Sequence, residues 1–180
     1  MLIASARAGN VIGGGDWAED RIVPDCIRSL QNNCPIAVRN PAATRPWQHV
    51  LEPLSGYLWL AAILSKDPSI PRAFNFGPDP ESTRCVRDLV TEILTHWQGQ
   101  WEDKSDPRAV HEAKLLNLSI ARAASVLNWK PVWNFEKTIE HTISWYQNFT
   151  LNKVENAALV SSQIKSYCQD AAAVHSAWAL

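Results

Sequence analysis

The amino-acid sequence predicts an α/β fold, because short apolar segments alternate with longer segments of helical periodicity. The short segments have the length and composition of buried strands, and they lie at about residues 2–8, 36–39 and 73–77. The longer segments repeat their apolar residues every three or four positions, and they lie at about 22–32, 53–66, 84–98, 119–127 and 135–149. The first strand runs directly into a loop, as parallel strands do where they end at a ligand crevice.

The helices follow from spacing and from the residues that bound them. The segment 84–98 fits the helical pattern most fully, with six apolar residues at Val86, Leu89, Val90, Ile93, Leu94 and Trp97. The segment 53–66 is apolar on nearly all sides, which predicts burial between two layers. Ser119 is the predicted cap of helix 119–127, and Asn134 precedes helix 135–149.

Residues 153–180 form a tail in which apolar residues recur at spacings of four and three. This pattern fits two interpretations. One is an appended and partly frayed helix, which we favour; the other is a helix that docks onto a partner or onto the core of this chain.

Composition excludes several classes of protein. The 180 residues are 46% apolar and 19% charged, with a formal net charge of −1, which fits one domain with a sizeable core and argues against a nucleic-acid partner. The longest apolar run, 58–64, is too short to cross a membrane, and residues 1–11 lack the pattern of a signal peptide, so a cytoplasmic protein is expected. The four cysteines are far apart, which favours reduced, buried thiols over a zinc site or disulfides.

The sequence offers neither a catalytic group nor a cofactor or metal site by spacing alone. The adjacent glycines at 13–15 do not match the dinucleotide pattern GxGxxG, and the histidines lack metal-ligand spacing. The three tyrosines are followed four positions later by Ala61, Thr150 and Ala171, so a Tyr-xxx-Lys pair is absent.

Two histidines lie within a few residues of an arginine, His49 near Arg45 and His111 near Arg108. A guanidinium group suits a phosphate because its planar fork donates two parallel hydrogen bonds. Each pair fits either an anion-binding site or a surface cluster of ion pairs, and from the spacing alone we favour the surface cluster.

Three longer strings stand out, namely Arg-Ala-Gly-Asn-Val-Ile-Gly-Gly-Gly-Asp-Trp at 7–17, Arg-Pro-Trp-Gln-His at 45–49 and Ala-Phe-Asn-Phe-Gly-Pro at 73–78. They resemble the CDP-glucose 4,6-dehydratases, a family in the extended short-chain dehydrogenase/reductase group of NAD-dependent sugar-nucleotide epimerases and dehydratases. The resemblance covers about residues 2–150. The Gly-Gly-Gly-Asp-Trp and Arg-Pro-Trp-Gln-His strings distinguish this family from the dTDP-glucose enzymes.

The resemblance implies a fold and a boundary. Residues 1–152 would be the C-terminal part of an extended Rossmann-type doubly wound fold together with the small sugar-nucleotide-binding lobe, incomplete at the N-terminus, and residues 153–180 would be the tail. The family uses tightly held NAD to oxidise the sugar at C4, and after loss of water the hydride returns to C6. Its glycine-rich NAD loop and Tyr-xxx-Lys pair lie upstream of this sequence, so the resemblance implies that NAD does not bind tightly here.

The resemblance also implies a nucleotide pocket. Its residues would contact the phosphates or the nucleotide, and they are Asn10, Arg21, Ile22, Arg45, Asn75, Arg108 and His111. A further group would shape the base pocket, namely Trp17, Arg39 and Trp47.

The expected function is the substrate-binding half of a dehydratase, inactive alone, with a CDP-sugar as its ligand. One alternative is a non-catalytic interaction fragment that pairs with a separate N-terminal half or with itself, because the strand at residues 2–6 would leave an apolar edge exposed. Another alternative is a sugar-nucleotide dehydratase or epimerase with a different base.

Overall fold

A computed structural model of the chain describes residues 2–106 and 116–179. Its helices are α1 (Ile22–Gln31), α2 (Leu51–Lys66), α3 (Val86–His96), α4 (Ala121–Leu127), α5 (Phe135–Thr150) and α6 (Asn156–Ala173), with a short 3-10 turn at Pro80–Ser82. Its strands are β1 (Ser5–Ala8), β2 (Asn10–Ile12), β3 (Ile36–Val38), β4 (Thr44–His49), β5 (Ala73–Phe76), β6 (Thr83–Cys85) and β7 (Trp101–Asp103).

The strands form small, mainly parallel sheets. Strand β1 pairs in parallel with β5, and β3 pairs in parallel with β7. Strand β4 lies between β2, which is parallel to it, and β6, which is antiparallel. Helices lie between the paired strands in sequence, as parallel pairing requires. The predicted α/β fold is therefore confirmed.

Two apolar clusters hold these elements together. The larger one packs α1, α3 and α5 against β3 and β4, and its fully buried side chains include Ile27, Ile93 and Ile139. The smaller one joins α2, α4 and β5 through Phe76 and Trp129. Each such side chain contributes about 1.5–3 kcal/mol when it is removed from water.

Most predicted bounds lie close to the observed ones, and two helices differ for clear reasons. The predicted helix 84–98 is shorter in the structure because residues 83–85 pair with β4 as strand β6. The predicted helix 119–127 begins at Ala121, and the predicted strand 2–8 begins at Ser5. Helix 53–66 begins two residues earlier, at Leu51.

The prediction that α2 is buried on both sides is wrong for the described residues. One side of α2 packs closely on β5, where a Cβ on Gly56 would lie 2.2 Å from the ring of Phe76. On the other side Leu58 is 74% exposed. Helix α2 is therefore a one-sided packing element despite its uniform apolar sequence.

The tail forms the continuous helix α6 over residues 156–173. Helix α6 packs against α5 and buries Leu159, Tyr167 and Ala171. Docking onto the core of this chain, the interpretation that we did not favour, is what the structure has. The division at residue 152 into two parts stays a prediction.

The four cysteines differ in their exposure to solvent. Cys26 is buried, whereas Cys34 and Cys168 are exposed and Cys85 is half-buried, so the expectation of buried thiols is correct for Cys26 alone. Within residues 2–106 and 116–179, every helix is too short or too polar to cross a bilayer.

Candidate ligand-binding cleft

A cleft of about 1060 Å³ opens where β2, β3 and β4 meet the start of α1. It is lined by six of the ten residues that the sequence predicts for a nucleotide pocket, namely Asn10, Arg21, Ile22, Arg39, Arg45 and Trp47. These residues are up to 37 positions apart in the sequence, from Asn10 to Trp47, and the fold brings them to one cavity.

Strand pairing places two of these residues side by side. Asn10 in β2 is the register partner of Trp47 in β4. The Trp47 indole N–H donates a hydrogen bond of 3.0 Å to the carbonyl of Arg84 in β6, which fixes the ring. The preceding turn lies very close to β4, because a Cβ on Gly9 would be 2.8 Å from the carbonyl oxygen of Pro46. A larger residue than glycine would push β2 away from β4 at this edge of the cleft.

Three arginines supply positive charge to the cleft. Arg21 immediately precedes α1, and its guanidinium lies 3.0 Å from a carboxylate oxygen of Asp16. Arg39 follows β3 and lies 2.6 Å from Asp20. Arg45 is in β4 and donates to the carbonyl of Thr44 at 2.9 Å. Guanidinium groups in this arrangement suit an extended anion that accepts several charge-assisted hydrogen bonds, such as a diphosphate.

The cleft also carries acidic groups, so its potential is mixed rather than uniformly positive. Asp16, Asp20, Asp25 and Asp106 are among the lining residues. Asp25 pairs with Arg28 within α1, and Arg28 does not line the cleft. An anionic ligand must therefore make contacts strong enough to compete with carboxylates that are already present.

The remaining predicted residues do not meet at this cleft in the described structure. Asn75 donates to the carbonyl of Ser119 at 3.1 Å and lines a separate hollow of about 380 Å³. Trp17 packs edge-on against Tyr146, with 5.2 Å between the ring centres, and is 40% exposed. Arg108 and His111 lie outside the described residues.

His49 fits neither of the two interpretations offered by its sequence neighbours. It is fully buried, its ring lies 4.8 Å from that of Trp133, and its Nδ1 accepts a hydrogen bond from the backbone of Leu51. Burial, together with the neighbouring His141, lowers the pKa of His49 to about 3. His49 is therefore a neutral part of the core, and it supplies no positive charge to an anion.

Sequence reasoning missed a buried polar cluster at the start of α2, which we call the Glu52 cluster (Glu52, Ser55, Trp129 and Tyr167). The Glu52 carboxylate accepts hydrogen bonds from the Trp133 backbone N–H at 2.7 Å and from the Tyr167 hydroxyl at 2.7 Å. It also accepts one from the backbone N–H of Val132 at 3.0 Å.

The other members complete the Glu52 cluster. The hydroxyls of Ser55 and Tyr167 are 3.1 Å apart, and the Trp129 indole donates to Ser55 at 3.1 Å. Burial raises the pKa of Glu52 to about 7, although the hydrogen bonds oppose that rise. An acidic residue at the start of an otherwise apolar helix was the one signal in the sequence, since its partners lie 80 or more positions away.

The adjacent glycines at 13–15 do not form a dinucleotide loop. A dinucleotide loop has its glycines directly before a helix whose N–H groups meet the phosphates. Here the glycines at 13–15 are separated from α1, and the turn is closed against α5, because a Cβ on Gly14 would lie 2.0 Å from Trp145. These glycines serve close packing. In the same described ranges, His, Cys, Asp and Glu side chains do not form a group that could hold a metal ion.

Comparison with solved structures defines the class of fold. UDP-glucose 4-epimerase from Stenotrophomonas maltophila, with bound NAD and formylated UDP-arabinopyranose, matches with a TM-score of 0.72 and 15% identity, over 84% of this chain and 49% of that one. The dTDP-glucose 4,6-dehydratase of Bacillus anthracis in complex with NAD matches with a TM-score of 0.65 and 15% identity, over 81% and 44%. The chain has the Rossmann-type fold of nucleotide-sugar epimerases and dehydratases.

Similarity in amino-acid sequence points to one kind of enzyme within that class of fold. No protein-family model matches the chain. It is 42% identical over 150 residues to the CDP-glucose 4,6-dehydratase of Salmonella typhimurium, over 81% of this chain and 41% of that enzyme. The resemblance to CDP-glucose 4,6-dehydratases that the motifs predict is thus confirmed. The chain spans less than half the length of the relatives that it matches.

Proposed function

We propose that this chain is the substrate-binding half of a CDP-glucose 4,6-dehydratase and that its cleft holds the CDP portion of a CDP-sugar. The observation that carries the proposal is the meeting of Arg21, Arg39 and Arg45 at one cavity, in a chain that is 42% identical to such an enzyme. We also propose that it acts in the cytoplasm, as part of a lyase of deoxysugar synthesis.

The arrangement of the cleft supports a diphosphate ligand. The guanidinium groups approach from three separate segments, and the first N–H groups of α1 add partial positive charge beside Ile22. Each charge-assisted hydrogen bond contributes about 1.5–3 kcal/mol net. The indole of Trp47, held by β6, offers a rigid apolar wall, and Asn10 beside it offers both a donor and acceptors.

We propose that the chain binds substrate but does not complete the family's net reaction, the conversion of CDP-glucose to CDP-4-dehydro-6-deoxyglucose with loss of water. The sequence contains neither a Tyr-xxx-Lys pair nor a glycine-rich dinucleotide loop, and these are the groups that the family uses for redox and acid–base chemistry. Dehydratase turnover by the purified chain with added NAD would contradict this part of the proposal.

The binding test is calorimetric titration of the full chain with CDP, UDP and dTDP under identical buffer and salt. CDP is expected to bind most tightly, since recognition of a base requires directed donors and acceptors. Tighter binding of UDP or dTDP would indicate a dehydratase or epimerase of a different nucleotide. Absence of binding by all three would contradict the proposal.

A second candidate role, an interaction fragment, is favoured by one specific observation. Within the described residues, β1 pairs with β5 alone, so its other edge is open, and Leu2 and Ile3 beside it are exposed. Open edges of this kind pair readily with another strand, either from a separate dinucleotide-binding half or from a second copy of the chain. Sedimentation that shows a monomer at all concentrations would exclude self-pairing.

A further inference from the structure

Two of the three arginines of the cleft are in ion pairs with aspartates. Asp16 holds Arg21 at 3.0 Å, and Asp20 holds Arg39 at 2.6 Å. All four residues line the cavity. A ligand that binds these guanidinium groups therefore competes with a carboxylate at each of them.

The aspartates belong to one short segment, and hydrogen bonds fix it at Asp16. The backbone of Asp16 is anchored by the Tyr146 hydroxyl of α5, which donates to its carbonyl at 2.6 Å. Its side chain also accepts a hydrogen bond from the N–H of Ala18 at 3.0 Å, which closes a local turn. Asp20 follows in the left-handed region of the backbone, with φ of 59°. The fold thus presents the Asp16 carboxylate to the cleft, whereas the side chain of Asp20 is 80% exposed.

The arginines are the adaptable partners in these pairs. The side chains of Arg21 and Arg39 are 66% and 73% exposed. Long, exposed side chains exchange partners readily, and exposed ion pairs are individually weak. Rotation of a guanidinium from an aspartate to a ligand needs no movement of the backbone.

A third acidic residue of the same cleft behaves differently. Asp25 pairs with Arg28 of α1, and Arg28 also donates to the carbonyls of Trp17 and Ala18. Arg28 does not line the cavity. Removal of the Asp25 charge therefore changes the potential of the cleft but releases no guanidinium group into it.

We propose that Asp16 and Asp20 are built-in competitors that hold Arg21 and Arg39 until a ligand with two adjacent phosphates exchanges for both carboxylates. This inference rests on the proposed function and adds a specificity device to it. A diphosphate presents more oxygen acceptors and more negative charge than a single phosphate group, so it exchanges more readily for both carboxylates. The carboxylates thus weaken the binding of every anion but select for a nucleoside diphosphate.

The test is calorimetric titration of the full chain with CDP and with CMP at low salt, for wild type, Asp16→Asn, Asp20→Asn and Asp25→Asn. Each asparagine keeps the shape of the residue, preserves an acceptor for the turn at Ala18, and tolerates the left-handed backbone at position 20. We expect CDP to bind the Asp16→Asn and Asp20→Asn variants about two- to fivefold more tightly than wild type. The affinity of Asp25→Asn for CDP should stay within about twofold of that of wild type. CMP should bind wild type more weakly than CDP does.

The variants separate the alternatives. An equal gain in CDP affinity in the Asp25→Asn variant would show that net charge alone sets the affinity. That result would overturn the proposal that the ligand exchanges for the Asp16 and Asp20 carboxylates. Unchanged or weaker CDP binding by the Asp16→Asn and Asp20→Asn variants would also overturn it, while the proposed function would stand because CDP still binds. Failure of wild type to bind CDP would instead overturn the proposed function and this inference together.

Discussion

The cleft and the Glu52 cluster place charged groups in opposite environments. In the cleft, the side chains of Arg21 and Arg39 are exposed to solvent, and each pairs directly with an aspartate. In the Glu52 cluster, one fully buried carboxylate accepts hydrogen bonds from backbone N–H groups and a tyrosine hydroxyl. Exposed ion pairs are weak and exchangeable, whereas buried hydrogen bonds to a carboxylate are costly to break. The cleft is arranged for exchange, and the Glu52 cluster is arranged for permanence.

The two regions are adjacent in the fold. Strand β4 carries Arg45 and Trp47 into the cleft, and α2 begins two residues after that strand ends, with Glu52 in its first turn. Through Tyr167 the same carboxylate holds α6, the tail helix. The buried region therefore supports the strand on which part of the exposed region is built.

The largest effect is expected from Glu52→Ala. This change leaves the buried N–H groups of Val132 and Trp133 and the hydroxyl of Tyr167 without their acceptor, at a cost of about 3 kcal/mol in the free energy of unfolding. Denaturant unfolding at pH 7 measures it. The control Glu102→Ala removes an exposed carboxylate paired with Lys104 and should change stability by less than about 0.5 kcal/mol. Equal effects of the two changes would contradict the contrast between the regions.

The second effect concerns pH. The folded-state pKa of Glu52, about 7, lies above the ordinary 4.5, so its stabilising contribution is complete below pH 4.5 and is lost as pH rises through 7. Glu52→Gln removes this loss. Relative to that of wild type, the free energy of unfolding of the variant should therefore increase by about 1.4 kcal/mol per pH unit between about pH 4.5 and 7.

The comparison of Glu52→Gln with wild type is necessary because buried His49 also makes stability depend on pH. Because its folded-state pKa is lowered to about 3, its contribution is complete above pH 6.5 and falls as pH decreases below that value. Between about pH 4.5 and 6.5, His49 makes the free energy of unfolding rise with pH and Glu52 makes it fall. The two effects therefore partly cancel in wild type. Thermal unfolding of wild type and Glu52→Gln from pH 4.5 to 8 gives the difference, and parallel profiles would show that Glu52 does not titrate in this window.

In the cleft, Arg45→Ala should weaken CDP binding at least about tenfold, which corresponds to the loss of one charge-assisted contact with the diphosphate. The matched control is Arg84→Ala, because Arg84 is the register partner of Arg45 in β6 but does not line the cleft. Calorimetry should show CDP binding to the control within about twofold of wild type. Comparable losses in both variants would indicate a general effect of charge on this sheet.

The smallest effect is expected from Tyr167→Phe, which removes the hydroxyl contacts to Glu52 and Ser55 while keeping the ring. A loss of about 1–2 kcal/mol in the free energy of unfolding is expected. Tyr57→Phe is the control on α2, since the Tyr57 hydroxyl makes no hydrogen bond with the described residues, and it should change stability by less than about 0.5 kcal/mol. A neutral Tyr167→Phe would mean that apolar packing alone holds α6.

The sequence predicted the elements that pack by periodicity and missed those that depend on distant partners. Helix α3 was evident because Leu89, Val90 and Ile93 fall on one face and are all buried. Strand β4 was missed because Thr44–His49 contains a proline and lacks alternation, and it forms by pairing with β2 and β6. Local pattern carries little information about such pairing.

The same distinction applies to the site. The motif resemblance selected ten residues, of which six line one cleft, because the resemblance carries three-dimensional proximity that spacing does not. It could not show that Trp17 packs on Tyr146 or that Asn75 lines a different hollow. The Glu52 cluster was invisible to spacing, since Tyr167 lies 115 positions from Glu52.

The most direct test is a CDP titration of the full chain followed by the NMR signals of the tryptophan indole N–H groups. Trp47 lines the cleft, whereas Trp129 and Trp133 lie in or beside the Glu52 cluster. The proposed site predicts that saturating CDP shifts the Trp47 signal and leaves those of Trp129 and Trp133 unchanged. Shifts confined to Trp129 and Trp133, or no shift at Trp47 when CDP is bound, would contradict the assignment of this cleft as the nucleotide site.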